Sequence, residues 1–268
     1  MRSKELNRAE YLSFWSTVGK TFPSLKGAVS TEYYFECERT LYEQFLPKLK
    51  DHMLLKTDLW NEAKNTEILR WAAEQGARPY GVDIAFDIVH EATEVFGGHR
   101  PGFVVSDVRS LPFRADTFDL VYSMGTIEHF SEYELAVREI FRVLRPGGSA
   151  IIGVPNKLDP FLRPLLVHLL SNAGLYAYGM EKSFTPRALR RLLESAGFRV
   201  IAQTGILFMP GWLRMMDLFC YTRFPRLATL TGWLIRPFAW LYRRVPAVRR
   251  HGYLIACIVS KPTEGALV

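Results

Sequence analysis

Apolar and polar positions along this chain change period several times, and the changes mark out its elements. Thr31 to Leu46 carries Tyr34, Phe35, Leu41, Tyr42 and Phe45 at helical spacing, so residues 1–50 read as helical, broken around Phe22-Pro23 and Gly27. Beyond them, short apolar runs alternate with amphipathic stretches. The runs His52–Thr57, Tyr80–Ile84, Phe103–Val105, Thr117–Ser123, Ser149–Val154, Phe198–Thr204 and Gly252–Val259 predict strands. Thr66–Gln75, Phe86–Phe96, Glu132–Leu144 and Thr185–Ala196 predict helices, stopped at Gly76, Gly97-Gly98 and Gly197, and Arg145-Pro146-Gly147-Gly148 predicts a turn. Strands alternating with helices of about ten residues imply βαβ units. The expected fold is α/β, a doubly wound and mostly parallel sheet with helices on both faces. Two stretches break the rhythm, 156–183 and 205–250. They lie where such a fold carries additions that hold specificity. The expected division is an N-terminal helical cap over 1–50 and one domain over 51–268, with these two stretches as substrate-side or lid insertions.

Composition narrows the picture. A chain of 268 residues, 49% apolar and 23% charged, suits one large globular core. Cys37, Cys220 and Cys257 are scattered and form no CxxC, which fits buried apolar side chains in a reducing compartment and no metal site. Met1 to Glu10 has mixed charge and no apolar core of a secretory signal. No apolar run reaches the length of a spanning helix; Pro164–Met180 comes nearest and is interrupted by His168, Ser171, Asn172 and Gly174. A cytoplasmic location is expected.

Candidate chemistry belongs at the carboxyl ends of the strands, where an open α/β sheet binds its ligand. Asp83 closes the second strand, where a carboxylate accepts hydrogen bonds from both hydroxyls of a ribose or, alternatively, caps the following helix. Asp107 follows the third strand and suits the exocyclic amine of adenine, with the Val108 backbone N–H beside it; the competing reading is an Asx turn. Ser123-Met124-Gly125 ends the fourth strand, its backbone placed for the amino-acid end of a cofactor. Asp119, inside that strand, reads as structural.

In sequence order, Val82-Asp83-Ile84, Asp107 with Leu111-Pro112-Phe113, Phe118-Asp119-Leu120-Val121, Glu128-His129, Arg142 to Gly148, Val154-Pro155-Asn156 and the helix from Phe184 to Phe198 form a series. The series resembles the successive motifs of class I, Rossmann-like S-adenosylmethionine-dependent methyltransferases of the small-molecule, type 11 kind. The likeness covers about residues 52–204 and returns at Gly252–Pro262. It implies S-adenosylmethionine as methyl donor, a seven-stranded sheet with an antiparallel last strand, ribose binding at Asp83 with Ile84, and adenine binding at Asp107 with Val108. One motif departs from the family: the glycine-rich loop after the first strand is replaced by Lys56-Thr57-Asp58-Leu59-Trp60-Asn61-Glu62-Ala63-Lys64-Asn65, without a glycine. Asp58 falls at the usual acidic position, and Asn61 and Glu62 are candidates for the ammonium and carboxylate ends of the donor. The rival to a re-engineered donor loop is a catalytically silent scaffold or a membrane-associated binding protein.

Methyl transfer from a sulfonium is an in-line displacement that needs alignment first and a base only where the acceptor loses a proton. His129 is the candidate base, with Glu128 to orient it; the competing reading has the pair capping the next helix and tying the loop down. The acceptor is expected to be small, apolar or lipid-linked. Its other clue is charge: residues 205–250 hold eight arginines and one acid, Asp217, and so carry the whole net charge of +7. Nine aromatics are mixed with them. Such a segment fits a helical lid, a lid that meets an anionic membrane surface, or, least well because base-reading polar residues are few, a nucleic-acid surface.

Overall fold

A computed structural model describes residues 8–97 and 101–263. The expectations placed on Met1–Asn7, on Gly98 and on the end of the last domain after Thr263 lie outside the described residues. The chain opens with helices α1 (Arg8–Thr21) and α2 (Val29–Phe45). It continues with β1 (Met53–Lys56), α3 (Trp60–Lys64), α4 (Ile68–Glu74), β2 (Arg78–Asp83), α5 (Phe86–Phe96), β3 (Gly102–Val105) and β4 (Phe118–Met124). After a 3-10 turn at Ile127–His129 come α6 (Tyr133–Val143), β5 (Leu144–Pro155), α7 (Arg163–Asn172), α8 (Pro186–Ser195) and β6 (Arg199–Ile206). Helices α9 (Gly211–Arg223) and α10 (Pro225–Arg244) precede β7 (Leu254–Ser260).

The seven strands form one sheet in the order β3-β2-β1-β4-β5-β7-β6. Strands β1 to β5 run parallel, and β7 lies antiparallel between β5 and β6. Successive residues of the central strands enter opposite cores, as the two-residue period requires. Leu54, Tyr122, Ile151 and Ile258 face one core, while Leu55, Val121, Ile152 and Val259 face the other. Both faces are covered, so these strands read as unbroken apolar runs. Helix α2 is part of the first core through Tyr34, Cys37, Leu41 and Tyr42; helices α6 and α8 cover the second with Val137, Ile140, Leu189 and Leu193.

One expectation changes. The turn at Arg145–Gly148 is a bulge inside β5, across which pairing jumps from Phe118↔Leu144 to Leu120↔Ser149. Gly148 is required there, because a Cβ would lie 2.9 Å from the carbonyl oxygens of Arg145 and Asp119. Asp119 is structural, as its position inside the strand suggests. Its carboxylate accepts from Met53 N at 2.6 Å and pairs with Arg145.

The insertion 205–250 folds as α9 and α10 against α2. Ile235, Ala239 and Tyr242, on one stripe of α10, enter the core. Its single acid explains itself. Ala28 precedes α2 without a side-chain cap, leaving first-turn N–H groups unsatisfied. Asp217, fully buried on α9, accepts from Ser30 N at 2.8 Å and from Thr231 Oγ1 at 2.6 Å, while Arg214 donates to Ser30 O at 2.9 Å. A carboxylate from one helix thus caps another, where the helix dipole favours it. Asp217→Ala strands the buried Ser30 N–H and leaves Thr231 Oγ1 only the Ala228 carbonyl, and should cost about 1–3 kcal/mol in urea unfolding, with Asp217→Asn costing less than half as much. A loss below about 1 kcal/mol for the alanine variant would remove this role from Asp217.

Candidate active site

The strand order reverses between β1 and β4, which opens a crevice beyond their carboxyl ends. There lies a cavity of about 1160 Å³, counted to where it opens to solvent. Its floor is the strand ends: Asp58 after β1, Asp83 and Ile84 after β2, Asp107 and Val108 after β3, Met124 and Gly125 after β4. Its roof is aromatic, with Tyr11 and Trp15 from α1, Trp60 from α3, and Tyr176 and Tyr178 from the 156–183 insertion.

Asp83 is held by the backbone. One carboxylate oxygen accepts from Leu59 N at 3.0 Å and the other from Ala85 N at 2.9 Å. The cap position of α5 is Ala85, so Asp83 is not that helix's cap. Burial pushes its carboxyl up to about 6 against the two N–H bonds. Asp107 differs. Burial works to raise it, but three contacts from Arg109 prevail and hold it below the ordinary carboxylate range. Arg109 donates from its backbone at 2.9 Å, from Nε at 3.0 Å and from Nη2 at 2.7 Å. The same guanidinium lies 4.8 Å from the Phe130 ring centre.

The glycine-free segment is not an open polar loop. Five of its residues form α3, and Asn61, Glu62, Lys64 and Asn65 are buried. Asp58 faces the cavity, accepting from Lys56 Nζ at 3.1 Å and from Thr126 Oγ1 at 3.2 Å. Asn61 also lines it, although its amide is committed to Glu38 at 3.2 Å and Asn65 at 3.0 Å. Glu62 does not. It turns under α4, accepts from Leu69 N at 3.0 Å, and stands 4.0 Å from the inaccessible Lys56. The expectation that Glu62 contacts a ligand is therefore corrected: its carboxylate caps α4 and balances a buried ammonium. Of the Ser123-Met124-Gly125 backbone, Met124 and Gly125 line the cavity; Ser123 does not, and its buried side chain accepts from Thr57 Oγ1 at 2.8 Å.

His129 faces the cavity, but Glu128 does not orient it. Nδ1 lies 2.9 Å from the Met180 carbonyl oxygen, which only accepts, so Nδ1 carries the proton and Nε2 presents a lone pair. Glu128 Oε1 is 3.9 Å from Nε2, beyond hydrogen-bond reach. Burial lowers the pKa of His129, with the Glu181 charge opposing, so the ring is neutral near pH 7. Glu128 is buried with Oε2 unpartnered, and burial, with Glu181 nearby, keeps its carboxyl well above the usual range. The Glu128 backbone does tie the loop, accepting from Lys182 N at 3.0 Å. Trp15 stacks edge-on to the imidazole at 5.0 Å.

Several lining residues carried no sequence signal. Arg163 and Glu181 form a buried pair in the 156–183 insertion, with Tyr176 bonded to both, and the Arg163 guanidinium lies 4.2 Å from the Tyr253 ring centre. The arginine lies on α7 and the glutamate in the irregular chain after it, so no single element's periodicity relates them. Arg214 of α9 also reaches the cavity, and only its aromatic and basic neighbourhood marked the segment.

A family model described as a methyltransferase domain matches residues 65–152. The demethylmenaquinone methyltransferase of Thermus thermophilus is 32% identical over 144 residues, which are 47% of this chain and 65% of that one. A sterol 4-C-methyltransferase of Caenorhabditis elegans is 32% identical over 139 residues, 50% of this chain and 42% of its own. The mitochondrial ubiquinone biosynthesis O-methyltransferase of Mus musculus is 31% identical over 99 residues, 36% of this chain and 27% of its own. The chain thus spans less than two thirds of the length of these relatives. Among solved structures, an S-adenosylmethionine-dependent methyltransferase of Mesorhizobium loti superposes with a TM-score of 0.57 at 16% identity, covering 89% of this chain and all of that one. The [4+2]-cyclase SpnF superposes equally well, at 0.57 and 18% identity, covering 85% of this chain and 82% of its own. The order of the seven strands and the antiparallel last strand agree: this chain has the fold of the class I, Rossmann-like S-adenosylmethionine-dependent methyltransferases, and its residues 65–152 match the methyltransferase-domain model.

Proposed function

We propose that this protein is an S-adenosylmethionine-dependent methyltransferase that acts on a small, apolar or lipid-linked acceptor. One observation carries the reading: a single cavity with carboxylates at three successive strand ends on one side, and a neutral histidine among aromatic rings on the other. The carboxylates suit the donor. Each oxygen of Asp83 accepts one backbone N–H and keeps a lone pair for one ribose hydroxyl. Asp107 is largely taken by Arg109, so adenine recognition rests on the Asp107–Val108 backbone at least as much as on the carboxylate. Asp58, Asn61, Met124 and Gly125 border the space left for the amino-acid end.

When bound, S-adenosylmethionine supplies an electrophilic methyl group on a sulfonium. The chain's own residues do the rest. Rings from α1, α3 and the 156–183 insertion exclude water and hold a flat apolar acceptor in line. His129 Nε2, fixed as the basic nitrogen by Met180, takes a proton from an acceptor O–H or N–H. Relatives named for demethylmenaquinone, ubiquinone biosynthesis and sterols support an apolar acceptor. We read α1 as the part of the 1–50 segment that closes the site, since it supplies Tyr11 and Trp15.

A peripheral place at an anionic membrane is the further part of this reading. Helices α7, α9 and α10 expose Leu165, Leu169, Trp212, Phe219, Trp233 and Trp240. Among the described residues no helix is long and apolar enough to cross a bilayer. The arginines divide. Arg214 is buried, Arg243 pairs with Glu36 at 2.9 Å, and Arg249 donates to Tyr242 O at 2.9 Å. Arg223, Arg226, Arg236, Arg244 and Arg250 are exposed, and each contributes roughly 1 kcal/mol near an anionic surface.

Calorimetry with S-adenosylmethionine separates enzyme from silent scaffold: the intact, folded protein should bind one equivalent. Asp83→Ala should weaken binding by about 1.5–3 kcal/mol, roughly ten- to a hundredfold. Because a proton on Asp83 competes with the diol, affinity should be level above pH 6 and fall up to tenfold per unit below it. An affinity independent of pH from 5 to 8 would take the ribose from Asp83.

His129→Ala should lower transfer of labelled methyl into an organic-soluble extract by about 100-fold or more, with donor affinity within about twofold of the parent. Equal loss of both would make His129 a structural residue.

Flotation should show binding to anionic but not neutral liposomes, reduced by salt and by Arg223→Glu with Arg226→Glu. Binding to neither vesicle would leave α9 and α10 as an ordinary lid.

A further inference from the structure

Beside the main cavity lies a second space between α7 and α9. Leu166 and Val167 of α7 form one wall, Met215 and Leu218 of α9 the other, with Phe22 and Leu175 at the sides. It encloses about 750 Å³, counted to solvent. Three features set it apart from a packing gap. It meets the main cavity at five shared side chains, Arg163, Tyr176, Tyr178, Arg214 and Tyr253. Its two guanidiniums are held by other groups, Arg163 by Glu181 and Tyr176, and Arg214 by Ser30 O at 2.9 Å and the Tyr34 ring at 5.1 Å, which leaves the walls between them apolar. Its outer end is not closed by the core: Leu175 is 71% and Met215 40% exposed, beside the exposed Leu169, Trp212 and Phe219.

We propose that this cleft binds the hydrocarbon tail of the methyl acceptor, threading it from the exposed apolar face of α7 and α9 to the aromatic roof where the head group reacts. The proposal rests on the methyltransferase reading for the identity of the head group, but the cleft is defined by its own residues. A tail laid there leaves solvent at Leu175 and Met215, runs between Val167 and Leu218, and ends against Tyr176 and Tyr178. Small polar acceptors gain nothing from such a cleft. Chain length therefore becomes a determinant of recognition.

The test uses the whole protein and a series of 4-alkylphenols, from ethyl through butyl to hexyl, titrated with and without S-adenosylmethionine. Each methylene buried in the cleft contributes about 0.8 kcal/mol, so affinity should rise roughly fourfold per methylene. Leu218→Trp and Met215→Trp fill the cleft and should flatten this dependence while leaving ethylphenol and donor affinities within about twofold. Leu218→Ala, which widens it, should keep the dependence and so guards against a merely unfolded variant. A dependence that both tryptophan variants leave unchanged, or no dependence in the parent, would overturn the proposal. The two readings fail separately. Donor binding without chain-length dependence removes the tail site and keeps the enzyme; a dependence abolished by Leu218→Trp in a protein that binds no donor keeps the site and removes the enzyme.

Discussion

A lysine ammonium with no exposure to water sits at the end of β1, and a charge cannot be buried alone. Lys56 donates to Asp58 twice, through its backbone carbonyl at 2.8 Å and its carboxylate at 3.1 Å, and has Glu62 at 4.0 Å. Burial acts to lower its pKa, yet Asp58, Glu62 and Glu38 together raise it. Each carboxylate is in turn tied to another element. Glu38 of α2 accepts from Tyr122 of β4 at 2.9 Å and from Thr66 before α4, and Glu62 accepts from the first turn of α4. Glu38 and Glu62 are both pushed up to about 7 by burial, with the Lys56 ammonium opposing the shift in each. This network accounts for the missing glycines. Where other members of the fold shape the first loop with permissive backbone, this chain shapes it with side chains around an ion, and so delivers Leu59 N to Asp83 and Asp58 to the cavity.

The opposite wall depends on a different element. Met180, whose carbonyl fixes the tautomer of His129, belongs to the 156–183 insertion, as do Arg163, Glu181, Tyr176 and Tyr178. A carbonyl is a better orienter here than a carboxylate. It sets which nitrogen is basic without adding a charge that would favour the imidazolium. The carboxylate side of the cavity is therefore built by the core, and the side that carries the orienting Met180 carbonyl by an addition to it. The similarity to a cyclase as well as to methyltransferases has the same basis: the sheet fixes where chemistry happens, and the additions fix which chemistry.

This division also explains what was legible in the sequence. The strands are readable because both faces of β1, β4 and β5 are buried, which forces continuous apolar runs. Asp83 and Asp107 are readable because a strand end is a topological address. Glu62 was not, because a carboxylate beside a buried lysine and one beside a ligand have the same local sequence. Only the closing of α3 decides which way it turns. Ser123 lies one step before Met124 in the strand, and that step buries it behind Thr57, which lines the cavity in its place. The Arg163–Glu181 pair was silent because its two halves meet through an irregular return of chain after α7, which no local pattern announces.

Net charge proved a looser guide than its concentration in 205–250 implied. Arg214, Arg243 and Arg249 are spent on Ser30, Glu36 and the end of α10, and the one acid, Asp217, caps α2. These are attachments of the insertion to the core, and they are made from the polar residues that a charge count treats as surface. What the attachments leave outside is more informative. Beside its exposed arginines, the insertion presents tryptophan, phenylalanine and leucine to solvent, an exposed apolar face of the kind that marks a contact surface. The same helices that carry this face wall the cleft beside the active site. Exposed apolar surface and an apolar path inward from it are two observations, and the nonpolar acceptor proposed above would use both.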